Sequence, residues 1–405
     1  MLPVFDPQDS SCKTPFGAVP CGTTVTFTLR DETYYACELL VRREFSGMDE
    51  AAPLPPAEGG FSGVYTAPAE PELCWYGFRF TRDDGSTVCL GKNGWCGQDA
   101  LTRWQLTVYE DTPTPAWFGE GVTYQIFPDR FRRISVPETE GMVGHRWVHP
   151  CWDDQPVFLP EENGQITNRD FFGGSLAGIT EKLDYLQSLS VSTIYLNPIF
   201  EAGSNHRYNT ADYLAIDPML GTEEDFRTLC REAHDRGIRI ILDGVFNHTG
   251  SNSRYFNADG FYPEPGAAQS KDSPYFPWYS FHPWPTEYDA WWGIHTLPAV
   301  NEDAPDYRRF IISDEDSVVR RWLRCGADGW RLDVADELPD DFIAAIRTAI
   351  TQEKPDGYLL GEVWEDGSNK IAYSRRRRYL LGQETHGLMN YPFRTCLLYT
   401  SPSPR

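Results

Sequence analysis

The chain is short of positive charge. Its 405 residues carry 36 Lys and Arg against 59 Asp and Glu, a formal net charge of −23. Such an acidic surface repels phosphate backbones and anionic headgroups, which excludes nucleic acid and a membrane surface as main partners. No apolar run reaches the ~18 residues that a membrane-spanning helix needs. The start, Met-Leu-Pro-Val-Phe-Asp, has neither the basic nor the apolar segment of a secretory leader. The ten cysteines include no C-x-x-C pair. Scattered through so long a chain, they read as reduced thiols and not as a disulfide framework. A cytoplasmic location is the expectation. No internal repeat is evident, and no glycine-rich phosphate loop follows the first strand of the parallel region described below.

Aromatic side chains, by contrast, are plentiful. With 40% hydrophobic and 23% charged residues the chain has ample material for a packed core, and disorder is excluded. The 13 Trp and 21 Tyr in an acidic background suit a neutral ligand with faces to stack on.

Two regions differ in rhythm. Residues 1–113 are rich in strands and turns: 23–30, 35–42, 75–82 and 104–110 alternate as half-buried strands do, and Asp84-Gly85 marks a hairpin. Residues 51–60 read as Pro/Gly-rich loop, and Thr112-Pro113-Thr114-Pro115 as a linker. A β-sandwich is predicted for this part. From residue 114 to 393, strands and helices alternate: strands at 122–127, 192–197, 239–243, 329–333 and 358–362, helices at 176–189, 223–236, 307–325 and 340–353. Alternation of this kind demands a parallel sheet. A (β/α)8 TIM barrel is favoured over a doubly wound sheet, because polar residues gather where several strands end. Two long interruptions, 132–170 and 249–301, fall after strands, where barrels build binding surface. The second is crowded with Tyr, Trp and Pro, and its pair Trp291-Trp292 reads either as buried core or as a sugar contact.

The chemistry gathers at strand ends. On Gly329-Trp-Arg-Leu-Asp333, Arg331 and Asp333 are two apart and project to one side. A guanidinium beside a carboxylate favours the ionised form that a nucleophile needs. Glu362 ends the next strand, with Trp364 close by, and an apolar indole there would help the acid keep its proton. Asp243 ends an earlier strand, with Asn247-His248 just beyond. One carboxylate as nucleophile and one as acid/base is the minimum for retaining glycoside cleavage. Each feature alone has a plainer meaning. A lone Arg-x-Asp is usually a structural ion pair, a Gly-Glu at a strand end says less still, and Asp243 reads equally well as a rim hydrogen-bonding group. Their joint occurrence at successive strand ends is what points to chemistry.

The runs Asp243-Gly-Val-Phe-Asn-His248, Gly329-Trp-Arg-Leu-Asp-Val334 and Gly361-Glu-Val-Trp364 resemble three sequence regions of the α-amylase family, glycoside hydrolase family 13. The runs starting at Gly121, Phe171 and Asn205, and Leu297-Pro-Ala-Val-Asn301, are similar to its neopullulanase, cyclomaltodextrinase and amylopullulanase branch. The resemblance implies a nucleophile at Asp333 and an acid/base at Glu362. It places Arg331 and His248 beside the nucleophile, Tyr208 stacked on the sugar at the cleavage point and His206 lining that subsite. Asp243 would support the rim, and Glu337 would face the leaving side. The implied activity is retaining hydrolysis of α-1,4 and, in some members, α-1,6 glucosidic bonds in maltooligosaccharides, pullulan, cyclodextrins or starch. A homodimer through the N-terminal domain belongs to the same implication.

The sequence departs from the pattern at Asn209 and Ser175, where Asp is common, and at Asp336, where Asn is usual. It also lacks a counterpart of the family's third catalytic Asp. After Met389-Asn-Tyr-Pro-Phe393, which reads as the sixth strand, residues 394–405 fit neither the family nor a helix pattern and read as a tail of foreign origin. The expectation is therefore a C-terminally incomplete barrel, inactive by itself. The alternative is a non-catalytic α-glucan-binding protein. No cofactor is called for, and no metal ligand is assigned. Calcium, common in the family, finds no dense carboxylate loop. His145, His149 and Cys151 have zinc-like spacing but read as unrelated, and residues 375–378 read as a solvated basic face.

Overall fold

The computed structural model describes residues 4–162, 164 and 166–400. It divides into two compact units: Met1–Pro113 with Gly367–Lys370 and Arg376–Gln383, and Thr114–Asp366 with Ile371–Arg375 and Glu384–Arg405. The first unit's longest stretch ends at Pro113, and two later segments, 367–370 and 376–383, also belong to it.

In the first unit two largely antiparallel sheets share one core. Thr24–Leu29 pairs with Gly60–Thr66 in the smaller sheet, and Glu72–Thr81 is central to the larger, flanked by Ala36–Arg43, Thr87–Gly91 and Trp104–Tyr109. Alternation decides which side chains face inward: Val25, Phe27 and Leu29 are buried from one sheet, Tyr76, Phe78 and Phe80 from the other, in a single cluster. Each such ring or aliphatic chain contributes roughly 1.5–3 kcal/mol on burial. Two readings of the sequence are corrected here. Residues 51–60 are not simply loop, because Asp49–Leu54 is a strand paired, among the described residues, only with Ala36–Arg43. On an edge strand Pro53 loses no ladder bond for want of an N–H. The basic run is not solvated either. Arg376 Nε bonds Glu44 Oε1 at 3.1 Å, Arg378 lies 4.4 Å over the Phe45 ring and Arg377 is buried, while Arg375 alone is exposed.

The second unit is built on a six-stranded parallel sheet: β1 (Val122–Ile126), β2 (Val191–Leu196), β3 (Arg239–Gly244), β4 (Gly329–Leu332), β5 (Tyr358–Gly361) and β6 (Gly387–Leu388), in that spatial order. Strands β3 and β4 are buried almost throughout, as parallel strands covered on both faces must be. Helices α1 (Leu176–Glu181), α2 (Leu183–Ser188), α3 (Glu223–His234), α4 (Pro305–Arg308), α5 (Val318–Arg324) and α6 (Asp340–Glu353) lie in the crossovers. The order never reverses, so the barrel topology, not the doubly wound one, describes these strands. Helix α3 illustrates the local logic. Thr222 and Asp225 form a reciprocal capping box, three acids fill its first turn, and Arg231 and His234 sit at the other end.

Three further expectations change. The single helix expected at 176–189 breaks at Lys182 into α1 and α2. The one expected at 307–325 is interrupted by a wide π turn at Arg309–Ser313 before α5. The sixth strand is Gly387–Leu388, not 389–393, and residues 391–400 form helix α7 (Tyr391–Thr400), contrary to the absence of a helix pattern read for the tail. Pro392 fits there because the first helical turn has no partner for its N–H. Residues 401–405 lie outside the described residues. Among the described residues no helix is long and apolar enough to cross a membrane.

Candidate active site

The register between neighbouring strands assembles the site. Asp243 on β3 lies opposite Arg331 on β4, and Arg331 opposite Leu360 on β5, so the ends of three strands come together just before Asp333 and Glu362. Arg331 is the hub. Its Nη1 donates to Asp243 Oδ1 and to Asp333 Oδ1, each at 2.7 Å, and its Nη2 pairs with Glu362 Oε1 at 2.7 Å. Tyr195 on β2 donates to the other oxygen of Asp243 at 2.6 Å. All four charged groups are buried.

Three carboxylates thus surround one guanidinium. Burial pushes the Asp333 carboxyl above the usual carboxylate range, and Asp243 and Glu362 add to it, while Arg331 pulls the other way. Asp243 is likewise pushed up by burial against the pull of Arg331. Arg331 favours the ionised form of Asp333, as its position two residues away implies, but desolvation acts in the opposite sense and is the larger effect.

Glu362 receives donors from several sides. The Val334 N–H reaches Oε2 at 3.0 Å, and Trp364 Nε1 and the Tyr391 hydroxyl reach Oε1 at 3.2 Å each. The indole expected to shelter the acid with an apolar face instead presents its N–H, and Trp364 is itself half exposed. Val334 holds its amide in place from the left-handed region, φ 41° and ψ 52°.

A cavity of about 650 Å3 opens over this cluster. Six of the eight residues singled out in the sequence line it: His206, Tyr208, His248, Arg331, Asp333 and Glu362. The other two do not. Asp243 is buried and bonded to Arg331, and Glu337 accepts Trp292 Nε1 at 2.8 Å. His206 and Tyr208 come from the turn between Phe200–Ala202 and Thr210–Ile216, an antiparallel pair. Tyr208 Oη accepts from Asn197 Nδ2 at 3.0 Å, and Asn197 is held by Gln125 at 2.8 Å. Burial lowers His206 and His248 to about 4 each, so both imidazoles are neutral near pH 7. The His248 ring stacks on Trp291, with centroids 5.3 Å apart. Trp291 lines the cavity and Trp292 is exposed, so the pair is not buried core.

Tyr195, Ser204 and Asn252 were not singled out from the sequence. Tyr195 looks there like any strand aromatic, and only the β2–β3 pairing reveals its carboxylate partner. Among the described residues no three His, Cys, Asp or Glu converge to hold a metal ion. The zinc-like trio separates: His149 bonds Asp170 at 3.3 Å, Cys151 is exposed and His145 lines the cavity. All ten cysteines are unpaired.

Residues 125–404 match the family model described as alpha amylase, catalytic domain. Across 97% of its length the chain is 37% identical to a protein named amylopullulanase from Thermoanaerobacterium saccharolyticum, and the match covers 33% of that protein. It is 36% identical, over 78% of its length, to the intracellular maltogenic amylase of Bacillus subtilis strain 168, half of which is covered. Among solved structures, the type III pullulan hydrolase from Thermococcus kodakarensis matches with a TM-score of 0.59 at 31% identity, over 96% of this chain and 64% of that one. The chain thus spans about a third to a half of the length of these two curated relatives.

Proposed function

The chain belongs to the α-amylase family, in the branch of amylopullulanase, neopullulanase and cyclomaltodextrinase, and we propose that its cavity cleaves α-1,4 and in some substrates α-1,6 glucosidic bonds with retention. The observation that carries this reading is the sharing of one guanidinium, with Asp333 on Nη1 and Glu362 on Nη2. Asp333 attacks the anomeric carbon while Glu362 gives its proton to the departing oxygen. Water, deprotonated by Glu362, then releases the sugar from Asp333. Arg331 holds both groups, His206 and His248 offer neutral contacts, and Tyr208 and Trp291 supply ring faces for the sugar. Asp243 sets the position of Arg331, and Glu337 with Trp292 borders the leaving side.

Maltooligosaccharides, pullulan, cyclodextrins and starch are the proposed substrates, and a homodimer through the first unit is the proposed assembly. In an active form of the enzyme, Asp333→Asn or Glu362→Gln lowers reducing-end release from maltopentaose more than about a thousandfold with the fold retained. Retained turnover in both variants refutes the assignment.

A second reading, binding without cleavage, is favoured by the raised Asp333 carboxyl, since a protonated acid is a poor nucleophile. Maltopentaose affinity by calorimetry, with no reducing ends released across pH 5–9, selects it.

A further inference from the structure

None of the unpaired cysteines takes part in the proposed cleavage, and two of them face each other across a hairpin. In the first unit, Thr87–Gly91 and Gly94–Cys96 are antiparallel strands joined by Lys92-Asn93, and their register sets Cys89 directly opposite Cys96. Residues so placed have Cα atoms about 4.5–5.5 Å apart and side chains on one face of the sheet. A disulfide spans Cα atoms roughly 4.4–6.8 Å apart, so the existing register brings this pair within bonding reach. Among the described residues no other two cysteines are register partners.

The two thiols differ in access. The alternation that sends Leu90 into the core turns Cys89 and Cys96 to the opposite face. Leu101 and Thr102 lie over that face, where a side chain at Gly91 would meet both of them. Cys89 is accordingly buried, whereas Cys96, on a strand at the sheet edge, is partly exposed. Burial raises the Cys89 thiol and Cys96 adds to this, while Arg79 and Arg103 pull the other way. Arg79 is bonded to Glu38 at 2.9 Å, and the buried Nε of Arg103 has no hydrogen-bond partner among the described residues.

We propose that Cys96 and Cys89 form a modification site for a small disulfide of the glutathione class, which converts the two thiols into a cross-strand disulfide. Access sets the order of attack, because such an oxidant reaches Cys96 and not Cys89. The Cys96 thiolate attacks one sulfur of the small disulfide, making a mixed disulfide and releasing one small thiolate. The Cys89 thiolate, favoured by the two guanidinium groups, then attacks the Cys96 sulfur. The bond to the small molecule breaks, and the second small thiolate leaves. Two protein thiols are thus oxidised and one small disulfide is reduced to two thiols, which take up the two protons that the cysteines lose. Excess small thiol runs the same steps backward. The bond ties the edge strand Gly94–Cys96 to Thr87–Gly91, where open backbone groups would otherwise offer pairing to another chain.

The test is peptide mapping of the full chain, reduced, then held with glutathione disulfide under native conditions and quenched in acid. The map is expected to show Cys89 joined to Cys96, while the exposed Cys151 and Cys396 carry glutathionyl groups. Dithiothreitol is expected to reverse both. In Cys89→Ser the glutathionyl group is expected to remain on Cys96, and in Cys96→Ser residue Cys89 is expected to stay a thiol. Absence of the bond in the native chain, a glutathionyl group left on its Cys96, or modification of Cys89 in folded Cys96→Ser overturns the proposal. The native map decides the bond even where a serine variant does not fold. Glucan turnover plays no part in this readout.

Discussion

The amide of Val334 donates to Glu362 Oε2 at 3.0 Å, from a backbone twisted into the left-handed region. The residue directly after Asp333 thereby orients the carboxylate on the neighbouring strand end. A β-branched side chain in that region costs about 1–2 kcal/mol, which the surrounding strand ends sustain. Val334→Gly removes this cost and keeps the N–H, although glycine returns about 0.5–1 kcal/mol in unfolded-state entropy. Thermal unfolding of Val334→Gly is expected within about 1 kcal/mol of the native protein, or slightly above it, with the Glu362 bond kept. A loss well beyond that contradicts the strain.

Arg331 balances three buried carboxylates, so its removal leaves uncompensated charge. Arg331→Met is expected to destabilise the fold by about 3–5 kcal/mol in urea titration at neutral pH, with part recovered as the solution is acidified and the carboxyls take up protons. Equal stability at every pH would show that the cluster carries little charge.

The same cluster sets an alkaline slope. Asp243 and Asp333 have folded pKa values raised above their unfolded ones. Their contribution is complete below the unfolded carboxylate range near 4 and is lost as pH rises through the raised values. His206 and His248, lowered to about 4, act in the opposite sense. Their contribution is present above the unfolded value near 6.5 and is lost as pH falls toward 4. Chemical unfolding across pH 4–9 is expected to give a stability maximum between these limbs. Asp333→Asn is expected to flatten the alkaline limb and leave the acidic one. If catalysis proceeds as proposed, kcat/KM rises with pH where the alkaline stability falls, because the nucleophile must ionise.

Asp217 is fully buried between Arg146, at 2.9 Å on two oxygens, and Arg207, at 3.1 Å. Asp217→Asn strands two guanidinium groups and is expected to cost about 3–5 kcal/mol, read as a fall in the unfolding midpoint. Because Arg207 sits on the turn of His206 and Tyr208, affinity for maltooligosaccharide is expected to fall with it. Native-like affinity in the folded variant would separate the triad from the cavity.

Trp292, on the proposed leaving side, donates to Glu337 at 2.8 Å and lies edge-on to Trp364, with centroids 6.0 Å apart. Trp292→Ala is expected to weaken binding of long maltooligosaccharides by about 0.5–1.5 kcal/mol, in calorimetry, and to leave short ones nearly unaffected. Equal losses for both lengths would place the ring elsewhere.

Much of the site was legible because strand periodicity is local. The two-residue spacing of Arg331 and Asp333, and the positions of Asp243 and Glu362 at strand ends, follow from alternation and length alone. Boundaries that depend on competing neighbours were less so. Asp49–Leu54 becomes a strand because an edge was open beside Ala36–Arg43, and the basic run at 376–378 folds back onto Glu44 and Phe45. The helix that begins at Tyr391 was not legible because residues 389–393 read as the sixth strand, and Pro392 fits a first helical turn.

The sequence by itself determined the acidic, aromatic-rich character, the alternation that demands a parallel sheet and the identity of the residues at its strand ends. Tertiary structure decided the electrostatics. Asp243 and Arg331 are 88 residues apart in sequence and 2.7 Å apart in space, and Trp364 turned its N–H, not its face, to Glu362. Charge and desolvation depend on which groups share a volume, and that is fixed only when strands from distant parts of the chain close around one guanidinium.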